Sequence, residues 1–118
     1  LLFKDLKGIF FMINTVVLVG RAGQDPEMRY FESGKVKTSF SIAVSRWSKT
    51  GEITDWFNVE LWDKNAEVAG QYVKKGSLVA VDGRLAVDKW TGQDGKNRER
   101  ALVRANNLRL LGSKKDQG

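Results

Sequence analysis

The chain contains no cysteine and no histidine. Without cysteine there is no disulfide framework and no thiolate metal site. Without histidine the commonest general base and metal ligand are missing too. No apolar run approaches the ~20 residues of a membrane span, so no membrane partner is expected. The carboxylates Asp25, Asp55, Glu60, Asp63, Asp82 and Asp88 are scattered and read as solvated charges. Only a pair of them around Mg²⁺ would give metal chemistry. The glycines of residues 92–95 lie between strand-like segments and not ahead of a helix, a poor fit to a phosphate-cradling loop. These absences point away from catalysis: no catalytic residue, metal ligand set or cofactor is expected.

What is present is basic and aromatic. Across 118 residues, 20 Lys and Arg stand against 14 Asp and Glu, a net charge of +6. The length suits one domain with one core, and the charge favours a polyanionic partner. The four tryptophans are the sharpest feature, because of their place in the strand pattern. Successive strand side chains alternate between faces. In residues 56–62, Phe57, Val59 and Leu61 share one parity, whereas Trp56 and Trp62 fall with Asn58 and Glu60. In residues 39–47, Phe40, Ile42 and Val44 point inward and Trp47 goes out with the serines. In residues 79–90, Val79, Val81, Leu85 and Val87 are the apolar set, and Trp90 falls with Asp82, Arg84 and Asp88. Four indoles would all land outside by chance about one time in sixteen. Large rings on a charged face imply a ligand or partner that covers them. The competing reading makes them core or interface rings, with a bulge such as one at Gly83 shifting the parity.

Residues 1–11 differ from the rest of the chain: Lys4, Asp5 and Lys7 interrupt the apolar stretch and no small-residue cleavage site appears. They read as a leader or N-terminal extension, the alternative being a short packing helix. Residues 13–20 are apolar on both parities, as in a strand buried on both faces, one of them by another subunit. Turn signals fall at 23–26 and 32–34. Strands are expected over 35–47, 54–62, 77–91 and 96–111, with a loop at 48–52 and a turn at 92–95. Asp63 is placed to cap a helix over 64–75, with Ala66, Ala69, Tyr72 and Val73 on its buried stripe and Gly76 as its stop. In the last strand Ala101, Val103 and Ala105 face in, and Arg98, Arg100 and Arg104 face out. Residues 113–118 are a short polar tail. Three strands, a helix and two strands is the order of a five-stranded Greek-key barrel of the OB type, an all-β fold with one short helix between strands 3 and 4.

Rings interleaved with cations suit a single nucleic-acid strand. Lys and Arg meet its phosphates through a salt-sensitive term, and aromatics stack on bases at ~1–3 kcal/mol each. Neither contact reads a hydrogen-bonding edge, so binding is tolerant of sequence. Arg46 beside Trp47 and Lys89 beside Trp90 are candidate cations, although neighbours on a strand face opposite ways.

At these residues the chain resembles the bacterial single-stranded DNA-binding proteins. The resemblance runs from Met12 to about Gly112 and is carried by Val17-Leu18-Val19-Gly20-Arg21, Gln24-Asp25-Pro26-Glu27-Met28-Arg29-Tyr30, Thr54-Asp55-Trp56-Phe57, Ala66-Glu67-Val68-Ala69, Lys74-Lys75-Gly76-Ser77, Asp82-Gly83-Arg84-Leu85 and Lys89-Trp90-Thr91. It implies an OB barrel over 12–112, assembled as a homotetramer, that coats single-stranded DNA in replication, recombination and repair within the bacterial nucleoid of the cytoplasm. It assigns base stacking to Trp47, Trp56 and Trp90, and also to Trp62, at a position where the family often has Phe. It assigns phosphate contact to Arg29, Lys64, Lys75, Lys89 and Arg98.

Three positions depart from the family pattern. Phe57 stands where some members carry His, at a subunit contact; with Val17 and Leu18 it makes the expected subunit interface. Ala86 and Asp88 stand where members can carry Arg, which lowers the number of phosphate contacts. The acidic, hydrophobic tip through which members recruit replication or repair proteins is not present in Lys114-Lys115-Asp116-Gln117-Gly118. The other readings are a primosome-type or RNA-binding OB protein and, among enzymes, a metal-dependent nuclease on the same barrel.

Overall fold

The computed structural model of the chain describes residues 3–4 and 10–112. The polar tail at 113–118 and most of the N-terminal stretch lie outside the described residues. Of that stretch, β1 (Phe3–Lys4) and β2 (Phe10–Phe11) pair antiparallel, with Phe3 opposite Phe11. Where it is described, the segment is therefore strand and not helix.

The remaining elements are β3 (Val16–Ala22), β4 (Glu27–Tyr30), β5 (Val36–Ser48), β6 (Gly51–Trp62), α1 (Asp63–Tyr72), β7 (Leu78–Thr91) and β8 (Asn97–Leu110). In the sheet they run β3-β7-β8-β6-β5-β4, and a short contact of β3 with β5, Arg21 opposite Ala43 and Ala22 opposite Ile42, closes the ring. Five strands thus form a closed barrel, with the helix between its third and fourth strands, as the OB order requires. All ladders are antiparallel except β6 with β8, which run parallel at Val59–Val103 and Glu60–Arg104.

β4 has no counterpart in the sequence reading. Its four residues carry only one partly buried side chain, Met28, so no alternation marks them. They continue β3 after a break at residues 23–26, and pair with the first half of β5. The break is held by backbone bonds from Gly23 N to Ser41 O and from Gly76 N to Ala22 O, and by the Asp25 carboxylate accepting from Lys75 N at 2.8 Å.

The core consists of the inward residues of every barrel strand, including Phe40, Ile42, Val59, Leu61, Val79, Val81 and Val103. Helix α1 plugs one end with Ala66 and Ala69, followed by Val73. Thr38, fully buried, donates from Oγ1 to the Ala66 carbonyl at 2.6 Å, so the plug is tied to β5 by a satisfied polar group. Two details of the helix differ from expectation. Asp63 lies inside the first turn, with φ 56°, and the N-cap position is Trp62, which supplies no side-chain cap. The helix ends at Tyr72, an exposed residue, and Gly76 (φ 89°) serves the turn after it, because the Ser77 backbone N–H bonds to the Lys74 carbonyl.

The apolar parity of β7 holds to Val87, yet only half of it is buried. Val79 and Val81 are in the core, whereas Leu85 and Val87 are exposed, as is Phe57 on β6. Val44 is half-buried. These outer halves of the two long hairpins reach beyond the closed ring, where no opposing wall covers their inner faces. On the single chain only one face of residues 16–19 is covered. Val17 and Val19 face outward and are exposed, while Leu18 instead packs against the core.

A bulge lies opposite Gly83: Asp82 pairs with Asn107 but Gly83 with Ala105, so Asn106 of β8 is the extra residue. The Asn106 carbonyl, turned out of the ladder, accepts from Asn65 Nδ2 at 2.8 Å. The backbones are so close here that a Cβ on Gly83 would stand 2.0 Å from the Arg104 carbonyl oxygen. Gly83→Ala is therefore expected to lower stability by about 1–3 kcal/mol through overpacking against main chain that cannot yield. Urea denaturation checks this; an unchanged midpoint would mean that the bulge relaxes.

Candidate nucleic-acid interface

Residues directly opposite each other on a ladder share a face, so the register decides which side chains meet. Along β5 and β6 the pairing is unbroken from Lys37–Trp62 to Ser48–Gly51. It puts Trp56 beside Ala43, Asn58 beside Ser41, Glu60 beside Ser39 and Trp62 beside Lys37 on the outer face. The parallel pair Glu60–Arg104 carries that face onto β8, and Arg104–Arg84, Leu102–Ala86, Arg100–Asp88 and Arg98–Trp90 carry it onto β7. The Asn106 bulge allows this. Ala105 and Leu108 are an odd number of residues apart, and the extra residue keeps both inward, so Arg104, Arg100 and Arg98 all remain outside.

All four tryptophans thus stand on one continuous outer surface. Trp47 is 81% exposed at the end of β5, Trp56 60%, Trp90 46% and Trp62 37%. Their surroundings differ. Trp56 lies edge-on over Gly23, where any Cβ would meet its ring at 2.3 Å. Trp90 borders an open hollow of about 380 Å³ with Lys89, Thr91, Asn97, Arg98 and Glu99. Trp62 is held from several sides: Phe31 stacks on it with centroids 5.5 Å apart, the Lys37 ammonium lies 5.9 Å from its ring, and its indole N–H donates to Glu60 Oε1 at 2.5 Å. Trp47, Trp56 and Trp90 thus leave much of their rings exposed, whereas Trp62 is braced by its neighbours.

The expected cations divide in the same way. Arg29 is on β4, opposite Lys37, with its guanidinium 5.0 Å from the Phe31 centroid. Arg98 is opposite Trp90 and donates to Asp94 at 2.7 Å, an exposed pair that a phosphate could replace. Lys89 takes the parity opposite to Trp90 but borders the same hollow. Lys64 and Lys75 are exposed, yet stand on α1 and on the turn after it and not on a strand. Arg46 takes the parity opposite to Trp47, and its Nε is bound to Asp55 Oδ2 at 2.7 Å. Of the interface candidates, Val17 and Phe57 are exposed on opposite sides of the sheet, and Leu18 is turned to the core.

Several residues of this face were not singled out as site residues from the sequence. Lys37, Arg84, Arg100 and Arg104 carry the outward parity, a visible signal; what placed them beside Trp62 or Trp90 is cross-strand register, which the sequence does not display. Phe31 follows a strand too short to recognise. Arg104 also meets two carboxylates, Asp88 Oδ1 at 2.9 Å and Glu60 Oε1 at 3.4 Å. Among the described residues no group of three or more carboxylates could hold a metal ion, and no helix is long and apolar enough to cross a membrane.

Comparison with known proteins agrees with this geometry. Residues 13–111 match the single-strand binding protein family. A protein named single-stranded DNA-binding protein 1 of Synechocystis sp. is 53% identical over 106 residues, spanning 88% of this chain and 88% of the relative. Its namesake in Nostoc sp. is 55% identical over 106 residues, covering 89% and 88%. The single-stranded DNA-binding protein of Neisseria meningitidis is 40% identical over 109 residues, covering 88% of this chain and 63% of its own length. With a family match over nearly the whole described barrel and relatives above half identity, this chain belongs to the single-strand binding protein family.

Proposed function

We propose that this chain binds and protects single-stranded DNA with little regard to sequence, in replication, recombination and repair, and that it works by binding and not by catalysis. The observation that carries the reading is the single outer surface on which four indoles stand among arginines and lysines. Trp47, Trp56 and Trp90 offer ring faces to successive bases and Trp62 adds a fixed aromatic wall. Arg29, Lys64, Lys75, Lys89 and Arg98 meet the phosphates around them. Residues 12–112 carry this activity, and the bacterial nucleoid, where strands are exposed, is where it is used. Stacking and charge contacts leave base edges unread, which accounts for the tolerance of sequence.

Trp56→Ala and Trp90→Ala are each expected to weaken binding to poly(dT) by about 1–3 kcal/mol while the thermal unfolding transition is retained, because both rings are exposed and contribute little to the core. Tryptophan fluorescence titration with poly(dT), and with poly(U) in parallel, checks this. Intact affinity in both variants, or a marked preference of the wild type for poly(U), would sink the reading.

The assembly we propose is a homotetramer. Two separate apolar surfaces are exposed on one chain: Val17 and Val19 outside β3, and Phe57, Leu85 and Val87 on the open inner faces of the hairpins, where Phe57 and Leu85 line a hollow of about 340 Å³. A closed tetramer of dihedral symmetry uses two kinds of interface, and two patches supply them. Spreading one strand over several subunits would multiply weak sites through effective concentration. Val17→Lys places a charge in the first patch without disturbing the core. It is expected to reduce the assembly to a smaller species and to lower affinity for long strands more than for short ones. Light scattering over a concentration series reads this, and a monomeric wild type at micromolar concentration would refute it.

A further inference from the structure

Arg84 and Arg104 are directly opposite each other on β7 and β8 and point to the same outer face. Like charges in that relation are destabilising unless something neutralises them. Arg104 is answered by Asp88 and Glu60, although its Nε is buried with no hydrogen-bond partner. Arg84 is exposed and makes no ion pair among the described residues, and neither does Lys35. These three cations and Trp62 line one open hollow of about 410 Å³, and no carboxylate lines it. A hollow with three cations and an aromatic wall is shaped for an anion attached to a flat ring.

We propose that Lys35, Arg84 and Arg104, with Trp62 as wall, form a phosphate subsite on this chain, and that Asp88 partly masks it by holding Arg104. The site rests on the single-stranded DNA reading above and extends the strand's path to the end of the sheet where β4 meets β5. A phosphodiester entering the hollow relieves the Arg84–Arg104 repulsion and offers the Arg104 guanidinium a second acceptor. Trp62, already braced by Phe31 and by the Glu60 carboxylate, presents an aromatic edge to the adjoining nucleotide. The site also accounts for how this chain tolerates Ala86 and Asp88 on its binding face: cations one pair further along β7 and β8 supply the charge those two positions lack.

The test is a fluorescence titration of oligo(dT) across a range of NaCl concentrations with the wild type, Arg84→Gln, Arg84→Lys and Asp88→Asn. Loss of one phosphate contact flattens the log–log salt slope by about 0.7 and weakens binding roughly eightfold near about 50 mM salt. Arg84→Gln is expected to show both changes with thermal unfolding no lower than that of the wild type, and Arg84→Lys to keep the wild-type slope. Asp88→Asn unmasks Arg104 and is expected to bind more tightly with a steeper slope. If the wild type binds oligo(dT) and Arg84→Gln retains its affinity and slope, the subsite is overturned while the general reading stands. If the wild type itself does not bind, both fall. Weaker binding by Asp88→Asn would overturn the masking role.

Discussion

The unbroken pairing of β5 with β6 is the constraint on which the rest of this molecule depends. It runs from Lys37 opposite Trp62 to the tight turn at Ser48 and Gly51. A slip of one residue would move every side chain of one strand to the other face. Trp56 and Trp62 would enter the barrel, and Val59 and Leu61 would face water. Burial of Val59, Leu61, Phe40 and Ile42 is thus also what holds the indoles outside. The same hydrophobic term that builds the core sets the binding surface, so the two cannot be altered independently.

The second half of the surface depends on an irregularity. β7 keeps strict alternation from Leu78 to Thr91, but β8 must supply Leu108 and Leu110 to one end of the core and Val103 and Ala105 to the other. The extra residue Asn106 reconciles these, and Asn65 of the helix satisfies the carbonyl it displaces. Gly83 faces the bulge because no side chain fits between the two backbones there. The defect in the ladder is what lets Arg98, Arg100 and Arg104 join the tryptophans.

Charge on this surface is not uniform. Arg98 is held by Asp94 and Arg104 by Asp88, while the Arg46–Asp55 pair stands on the opposite face of the β5–β6 hairpin. The exposed Arg98–Asp94 pair contributes little to stability. The aromatic platforms carry no such partners.

Much of this was legible in the residues. Alternation placed the four indoles outside and most of the core inside, since burial follows period two wherever a strand has one wet face. The missing histidines and cysteines, with the basic balance, turned the reading to binding. What alternation could not show is how far the barrel closes. Leu85, Val87 and Phe57 have the inward parity but lie beyond the ring, and Leu18 and Val17, equivalent in composition, fall on opposite faces. Short β4, the helix start at Asp63 and its end at Tyr72 escaped for a related reason: β4 is set by its pairing with β5, and the helix is bounded by the end of β6 and the turn at residues 74–77. The sequence by itself determined which residues seek water and which avoid it, because that preference belongs to each side chain. Only the tertiary structure decided that Arg84 would stand opposite Arg104 and that Trp62 would lie between Phe31 and Lys37, because cross-strand neighbours are chosen by register, and register is settled by burial over the whole barrel.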